Sequence, residues 1–584
     1  MRWLLKSFDK SSAAALSESL SLPPIVGSLL MQRGITTPVA ARIFLNPSLD
    51  QLHAPSRMLG MQTAVERLCA AITKKEDMLI YGDYDVDGTV AVVILKTAIE
   101  LCGGRVDFHV PHRLKEGYGM KEDVIEAAAA AGVRLIISVD TGIRAFAAAE
   151  TARRVGVELI VTDHHLPEND KRVPDALAVL NPNQPGCEYP NKSLCGAGVA
   201  FKLAQELLTK IRGEQEAQRL LPSFIKMVAI ATIADAVPLT GENRVFAKLG
   251  LDGLRRLVNP GLRALFEVAK VGDRPGGVSA SDIGFRVAPR LNAAGRMDVA
   301  KDVIELFTTK DAARAGELAA KLHKLNAERQ AEELRILAAM QMRVEKDEEL
   351  QKAFCLVVDG EGWHRGVIGI CATRLVERYG KPTLVISLDG AEGHGSGRSI
   401  AGFHLLDALE QEECRKLFSR FGGHSHAVGF ALPSENIAAL RAAMDAHARS
   451  KLTREELQPT LEIDGEIELD EVTPKLFHHL RHLEPFGQGN REPVFATRNA
   501  RLMAPPKVLK EKHMKLRVAG KNGRTFDVLA WRMADTLQPL NLLAGESIDL
   551  AFRLEENQHP DFGGLQLVLC DAARSAIVTA TATA

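Results

Sequence analysis

The sequence predicts an α/β protein: a doubly wound parallel sheet, a long connecting helix, a second α/β unit and a closing β-rich domain. Three observations carry this. From Met61 to about residue 240, apolar runs of strand length alternate with helical patterns, the signature of βαβ units. From Asp311 to Glu348, helix-favouring residues run on with no proline or glycine after Gly316. Beyond a break near residues 450–459, short strands and turn signals replace the helical spacing.

At 584 residues the chain is long enough for roughly three or four domains. Its 46% hydrophobic and 25% charged content is that of an ordinary soluble globular protein. A formal net charge of −1 means that any nucleic-acid footprint must be local. The eight cysteines include no Cys-x-x-Cys pair, which argues against structural zinc and a disulfide framework and fits a reducing cytosol. The apolar run in Met-Arg-Trp-Leu-Leu-Lys is too short for a signal peptide, and no stretch reads as a membrane span. A cytoplasmic protein is expected.

Residues 1–60 read as short helices punctuated by Pro23-Pro24, Gly34 and Pro47. Residues 61–310 hold the sheet domain. Its first strand, Met78-Leu79-Ile80, runs into Tyr81-Gly82-Asp83-Tyr84-Asp85-Val86-Asp87-Gly88-Thr89, and a helix follows over Val90–Ile99. Ligands of open α/β sheets bind at the carboxyl ends of strands, where these three alternating carboxylates fall. Their repulsion is costly unless a cation sits among them. A calcium-binding EF-hand would need a Glu at the twelfth position, and counting from Asp83 gives Ile94, so that reading fails. A solvated Asx-rich turn is the default for such a cluster. It gives way only if other strands also end in ligands.

They do. Arg105–Val110 is a strand and Lys121–Ala131 a helix, with the loop Pro111–Gly119 between them. Arg113 in that loop is a candidate phosphate clamp, against the ordinary reading of a solvated arginine. The strand Arg134–Val139 ends in Asp140. The strand from Val157 ends in Asp163-His164-His165, where two adjacent histidines behind an aspartate are hard to dismiss as structural. Asp235 closes an apolar helix that starts near Ile225, and an unpartnered carboxylate there would be expensive to bury. Carboxylate and imidazole without sulfur suit Mn²⁺ or Mg²⁺. So many carboxylates suggest two ions about 3.5–4 Å apart, and such pairs hydrolyse phosphoesters. A phosphoesterase follows from the pattern alone.

In order, the Asp83–Gly88 run, Val139-Asp140, Asp163-His164-His165 and Asp235 resemble the four motifs of the DHH phosphoesterases. Pro111–Gly119, Pro289–Arg296 and Leu325-Asn326-x-x-Arg329-Gln330 are similar to the RecJ branch of that family, bacterial exonucleases specific for single-stranded DNA. The resemblance implies a metal-ligand set of Asp83, Asp85, Asp140, His164 and Asp235. It places His165 beside them in the catalytic group, as a ligand or a contact to the scissile phosphate. Asp87 is left to hold the loop.

Residues 311–349 form the connecting helix, read as a rigid spacer with solvated charges. In residues 350–452, Phe354–Val358 and Pro382–Ser387 are strands, and Gly362–Ile370 opens a helix. His394–Ser399 and Phe421–Ala427 are candidate glycine-rich phosphate loops, where backbone N–H groups approach an anion. Together they resemble the DHH-associated domain, whose Gly-Gly-His motif faces the metal site across a cleft. That resemblance implies that Ser396, Arg398, Gly422, Gly423 and His424 hold the nucleic-acid end, assisted by Arg113 and Arg296.

In residues 458–574, strands near Ala500–Met503, Lys515–Ala519, Arg524–Trp531, Ser547–Leu554 and Leu565–Leu569 suggest an OB-type barrel. Gly520-Lys521-Asn522-Gly523 is a hairpin signal, and Asp561-Phe562-Gly563-Gly564 separates the last two strands. Lys507, Lys510, Lys512, His513, Lys515 and Arg517 supply local basic density. Residues 575–584 read as a disordered tail. The expected activity is a 5′→3′ exonuclease on single-stranded DNA, releasing mononucleotides in repair and recombination. Polarity, strand preference, and a helicase and single-strand-binding protein as partners are what the resemblance implies. Small-substrate relatives, which cleave short oligoribonucleotides, cyclic dinucleotides or pyrophosphate, need no strand-binding barrel. A degenerate scaffold at the replication fork would have lost ligands that are all present here.

Overall fold

A computed structural model describes residues 1–113, 116–117, 119–168, 170–272, 277–297, 300–557 and 563–575. Parts of the 111–119 loop, the Asp561-Phe562 turn residues and the tail after residue 575 therefore lie outside the described residues. The chain forms two compact units, Leu52–Gln458 and the combination of Met1–Gln51 with Pro459–Ala584.

The first sheet of Leu52–Gln458 has five parallel strands, in the order Arg105–His109, Asp77–Tyr81, Leu135–Val139, Glu158–Thr162 and Ala178–Leu180. Every residue of Leu135–Val139 is buried, as expected of a parallel strand covered on both faces. The order reverses between Asp77–Tyr81 and Leu135–Val139, so a crevice opens beyond their carboxyl ends. Helix Val86–Leu101 leaves the first of these strands and packs against the helices Gly196–Arg212 and Glu214–Ala234.

The helix ending at Asp235 starts at Glu214, about three turns before the expected Ile225. Pro222 looks like a breaker but lies inside it, because Leu221, Phe224 and Ile225 are buried in the core and that packing outweighs one lost hydrogen bond. Contrary to the sequence reading, this helix is long and apolar enough to cross a membrane by length and composition. Its Phe224, Ile225, Val228 and Ile230 are instead buried within this unit. A fully buried ion pair ties the neighbouring helices together, with Lys202 Nζ 2.6 Å from Glu242 Oε1.

The connecting helix spans Ala312–Lys346, and a separate short helix follows at Glu348–Lys352. Arg329 donates to Asn326 Oδ1 (2.9 Å) and Glu333 Oε2 (2.5 Å), and Arg374 Nε donates to Glu333 Oε1 (3.2 Å). The long helix is thus pinned to the helix Ile368–Tyr379 of the second α/β unit. It is more than a solvated spacer.

The second sheet runs Arg420–Gly423, Ala427–Pro433, Glu392–Arg398, Thr383–Asp389 and Leu356–Glu361, with only the last pair parallel. His394–Ser399 is therefore not a loop. Its residues through Arg398 form the sheet's central strand, and the glycines serve packing. A Cβ at Gly395 would lie 2.0 Å from the Phe430 ring, and one at Gly397 would lie 2.5 Å from Leu384. The bare face admits core side chains, while His394, Ser396 and Arg398 alternate onto the other face. Phe421–Ala427 likewise forms strand ends around a tight hairpin turn.

In the other unit, the expectation of an all-helical N-terminus needs correction. Arg2–Leu5 is a strand, paired in parallel with Thr460–Ile463. Helices Lys10–Leu20 and Pro24–Gln32 bury Leu16, Val26, Leu29 and Leu30 in one core with Leu476, Phe495, Leu516 and Phe552. The barrel closes through five strands, Phe495–Leu502, His513–Ala519, Thr525–Ala530, Gly564–Arg574 and Ser547–Asn557, the last returning to pair with the first. The pairing between Thr525–Ala530 and Gly564–Arg574 is parallel, giving a five-stranded OB-type barrel.

Candidate metal centre

The acidic loop is folded onto the start of a helix. Asp85 caps Val86–Leu101, its side chain accepting from Gly88 N at 3.0 Å. Gly88 permits the tight turn, since a Cβ there would come within 2.7 Å of Asp83 N and O. Asp140 follows its strand with φ of 58°, a left-handed conformation that is uncommon outside glycine but that aspartate tolerates, and it turns the chain abruptly. Asp235 stands at the C-terminal end of its helix, followed by Ala236 at φ 56°.

These elements bring Asp83, Asp85, Asp140, His164, His165 and Asp235 together. His164 Nε2 lies 3.2 Å from Asp140 Oδ1 and 3.8 Å from both Asp235 Oδ2 and Asp87 Oδ2. Three groups have ligand atoms within 4.8 Å of one another: Asp83–Asp85–Asp140, Asp140–His164–His165 and Asp87–His164–Asp235. The groups share Asp140 and His164, so they are contiguous and suit two ions with common ligands. Asp83 Oδ1 and Asp140 Oδ1 are buried without a hydrogen-bond partner among the described residues. Burial, and then the charge of Asp85, pushes Asp83 up to about 8. Burial, and then Asp87 and Asp85, pushes Asp235 up to about 9 and raises Asp140 too. Carboxylates crowded this way fit a cation that would relieve both penalties.

Support for the histidines was not legible in the sequence. Asp163 is buried and accepts from the backbone N–H groups of Ile143 (2.9 Å), His164 (2.7 Å) and His165 (3.1 Å). It also holds His165 Nδ1 at 2.7 Å. Burial opposes charge on both partners, but their mutual hydrogen bond prevails, lowering Asp163 and raising His165 to about 9. Asn181 Nδ2 donates to His165 O (2.9 Å) and Asn183 Nδ2 to His164 O (2.8 Å). The only sequence signal for these is the turn-like Asn-Pro-Asn. Asp87, set aside as a loop holder, accepts from Gly196 N (2.6 Å) and Ala197 N (2.8 Å), and it also belongs to one cation-compatible group.

The candidate substrate residues form a cluster of one sign. Arg113 lies over the Tyr84 ring at 5.0 Å, Arg296 Nη1 donates to Gly366 O at 3.0 Å, and Arg398 Nη1 donates to Ser396 Oγ at 3.3 Å. Burial, followed by Arg113, Arg329 and Arg398, holds Arg296 down to about 10. His424 is lowered by burial and then by the positive field of His426, Arg398 and His165. Gly423, at φ 145°, would bring a Cβ to 2.3 Å from Ala427 O, whereas Gly422 faces open space. Asn292 Oδ1 accepts from Val86 N at 3.2 Å, bracing the acidic loop from the helix Ala288–Met297.

Family models match in three places: the DHH family N-terminal domain over residues 77–232, the DHHA1 domain over 350–450, and the RecJ OB domain over 463–571. The single-stranded-DNA-specific exonuclease RecJ of Bacillus subtilis is 36% identical over 578 residues, 98% of this chain and 71% of that protein. The chain belongs to the RecJ family. RecJ from Thermus thermophilus in complex with Mn²⁺ superposes with a TM-score of 0.83 at 28% identity, covering 98% of this chain and 80% of that one. The Mg²⁺ complex of the same protein gives 0.77 at 27% identity, covering 98% and 79%. The RecJ-family match thus spans both units of the chain and extends to the fold of metal-bound relatives.

Proposed function

We propose that this RecJ-family protein is a metal-dependent exonuclease that hydrolyses single-stranded DNA from the 5′ end, releasing mononucleotides in DNA repair and recombination. The observation that carries the reading is the pair of buried oxygens on Asp83 and Asp140 that have no hydrogen-bond partner among the described residues, set among further carboxylates and imidazoles. Asp83, Asp85, Asp140, His164 and Asp235 would hold two Mn²⁺ or Mg²⁺ ions. When bound, the ions supply a water acidified for attack and neutralise charge on the phosphoryl oxygens. Asp163 fixes the ring of His165, which serves as a ligand or touches the scissile phosphate. Arg113, Arg296 and Arg398, with no carboxylate within 4.0 Å among the described residues, receive the phosphates of the strand end with Ser396, Gly422, Gly423 and His424.

The catalytic sheet falls in residues 61–310 and the end-binding domain in 350–452, joined by the helix of 311–349. The OB-type domain of 458–574 offers Lys507, Lys510, Lys512, His513, Lys515 and Arg517 to the strand backbone. A passage too narrow for duplex explains strand specificity, a helicase and single-strand-binding protein supply the substrate, and the enzyme works in the cytoplasm. The test is one oligonucleotide labelled at either end, in Mn²⁺, beside its duplex, with wild type and Asp140→Ala. Early mononucleotide release from the 5′ label, with duplex spared and Asp140→Ala folded but inactive, is expected. Release from the 3′ label first overturns the polarity, and turnover by Asp140→Ala overturns the ligand set.

A further inference from the structure

The short helix Pro474–Arg481 ends in a run of histidines, with His478 and His479 in its last turn and His482 as its C-cap. His478 and His482 are four residues apart and share one face. Both are exposed, their rings stand edge to face with centroids 4.8 Å apart, and their Nε2 atoms approach to 3.2 Å. We propose that His478 and His482 form a surface chelate for one late first-row divalent cation of the Ni²⁺, Cu²⁺ and Zn²⁺ class. This site lies on the unit that carries the barrel and differs in chemistry from the carboxylate centre. It does not depend on the function proposed above.

The bite fits. With metal–imidazole bonds of about 2.0–2.1 Å, nitrogens 3.2 Å apart subtend roughly 100° at the ion, between octahedral cis and tetrahedral angles. Helical i, i+4 histidine pairs chelate zinc in this manner, with water free to complete the coordination shell. The field fits too, because the C-terminal end of a helix carries partial negative charge that favours a cation. Arg481, the cation adjacent in sequence, faces Glu484 at 3.7 Å and Glu556 at 4.0 Å, which offsets its repulsion. The proton balance is simple. Where one neutral ring donates its Nε2–H to the other ring's Nε2, that proton moves through solvent to the same ring's Nδ1 on binding, so both Nε2 lone pairs face the ion and no net proton is released. Imidazole nitrogens favour these late cations over Mg²⁺ and Mn²⁺, the reverse of the preference at the oxygen-rich centre.

The test is calorimetric titration of NiCl₂ into the full chain held in excess MgCl₂, which occupies the carboxylate centre. Wild type is compared with His478→Ala, His482→Ala, His479→Ala and Asp140→Ala. One Ni²⁺ event is expected in wild type, weakened at least about tenfold in His478→Ala and in His482→Ala and retained in His479→Ala and Asp140→Ala. The exposed positions leave the fold unchanged, checked by circular dichroism. No event in wild type, its survival in both His478→Ala and His482→Ala, or its loss in Asp140→Ala or His479→Ala overturns the site.

Discussion

Gly196 leaves its space to Asp140: a Cβ at Gly196 would sit 2.5 Å from both Cβ and Oδ1 of that aspartate. The two residues lie on different elements, one opening the helix Gly196–Arg212 and the other ending the strand Leu135–Val139. Gly196→Ala should therefore displace the Asp140 carboxylate while favouring the helix itself. The expected result is an Mn²⁺ affinity at least about tenfold weaker, with a lowered melting temperature because Asp140 Cβ must also give way, read by calorimetry and thermal unfolding.

Acid–base behaviour without metal should run opposite to that of a protein held by ordinary ion pairs. Asp83 and Asp235 titrate near 3.8 when unperturbed and at about 8 and about 9 when folded, so the folded state binds more protons between those limits. Their contribution is fully present below about pH 4 and is lost as pH rises toward 8–9. His165, raised from 6.5 to about 9, acts in the same direction over the upper part of that window. Metal-free protein should melt at lower temperature at about pH 8.5 than at about pH 6, and Mn²⁺ should raise the melting temperature more at the higher pH. A metal increment independent of pH would contradict these shifts.

Lys202 and Glu242 test the cost of an orphaned charge. Glu242 also accepts from Tyr189 Oη (2.9 Å) and His53 N (3.0 Å), and Lys202 donates to His53 O (2.9 Å). Lys202→Met should destabilise the protein by about 3–5 kcal/mol, because it leaves a buried carboxylate without its counter-charge. Removing both charges, as Lys202→Met with Glu242→Gln, should cost less than Lys202→Met alone in denaturant unfolding.

The glycine face of the central strand Glu392–Arg398 makes a further prediction. Gly395→Ala drives a methyl group into the Phe430 ring and should cost about 1–3 kcal/mol, partly restored by Phe430→Leu. Gly429→Ala on the adjacent strand meets nothing within 4 Å and should stay within about 0.5 kcal/mol of wild type. Chemical denaturation separates the two.

What could be read from the sequence followed from how local the cause was. Asp83, Asp140 and Asp163 each end an apolar run abruptly, so the sheet and the meeting of ligands at its edge were visible in neighbouring residues. The alternating glycines of 393–397 were also visible, but only Phe430 and Leu384, supplied by other strands, show that they make room in a core rather than cradle a phosphate. Arg2–Leu5 reads as a strand only once Thr460–Ile463 is beside it. Asn181, Asn183 and Asn292 act through backbone groups distant in sequence, which no pattern of residue types records.

The unit built from Met1–Gln51 and Pro459–Ala584 sets the order of synthesis against the order of assembly. The helices carrying Leu16, Val26, Leu29 and Leu30 leave the ribosome some 400 residues before the strands that cover them. At about 5–20 residues per second, they wait roughly 20–80 s with an apolar face uncovered. The Leu52–Gln458 unit can fold during that interval, so the nascent protein passes through a stage with a finished catalytic sheet and an unfinished barrel. Chaperone demand should peak in that interval, and it should fall if the first 51 residues are moved by circular permutation to follow the last barrel strand.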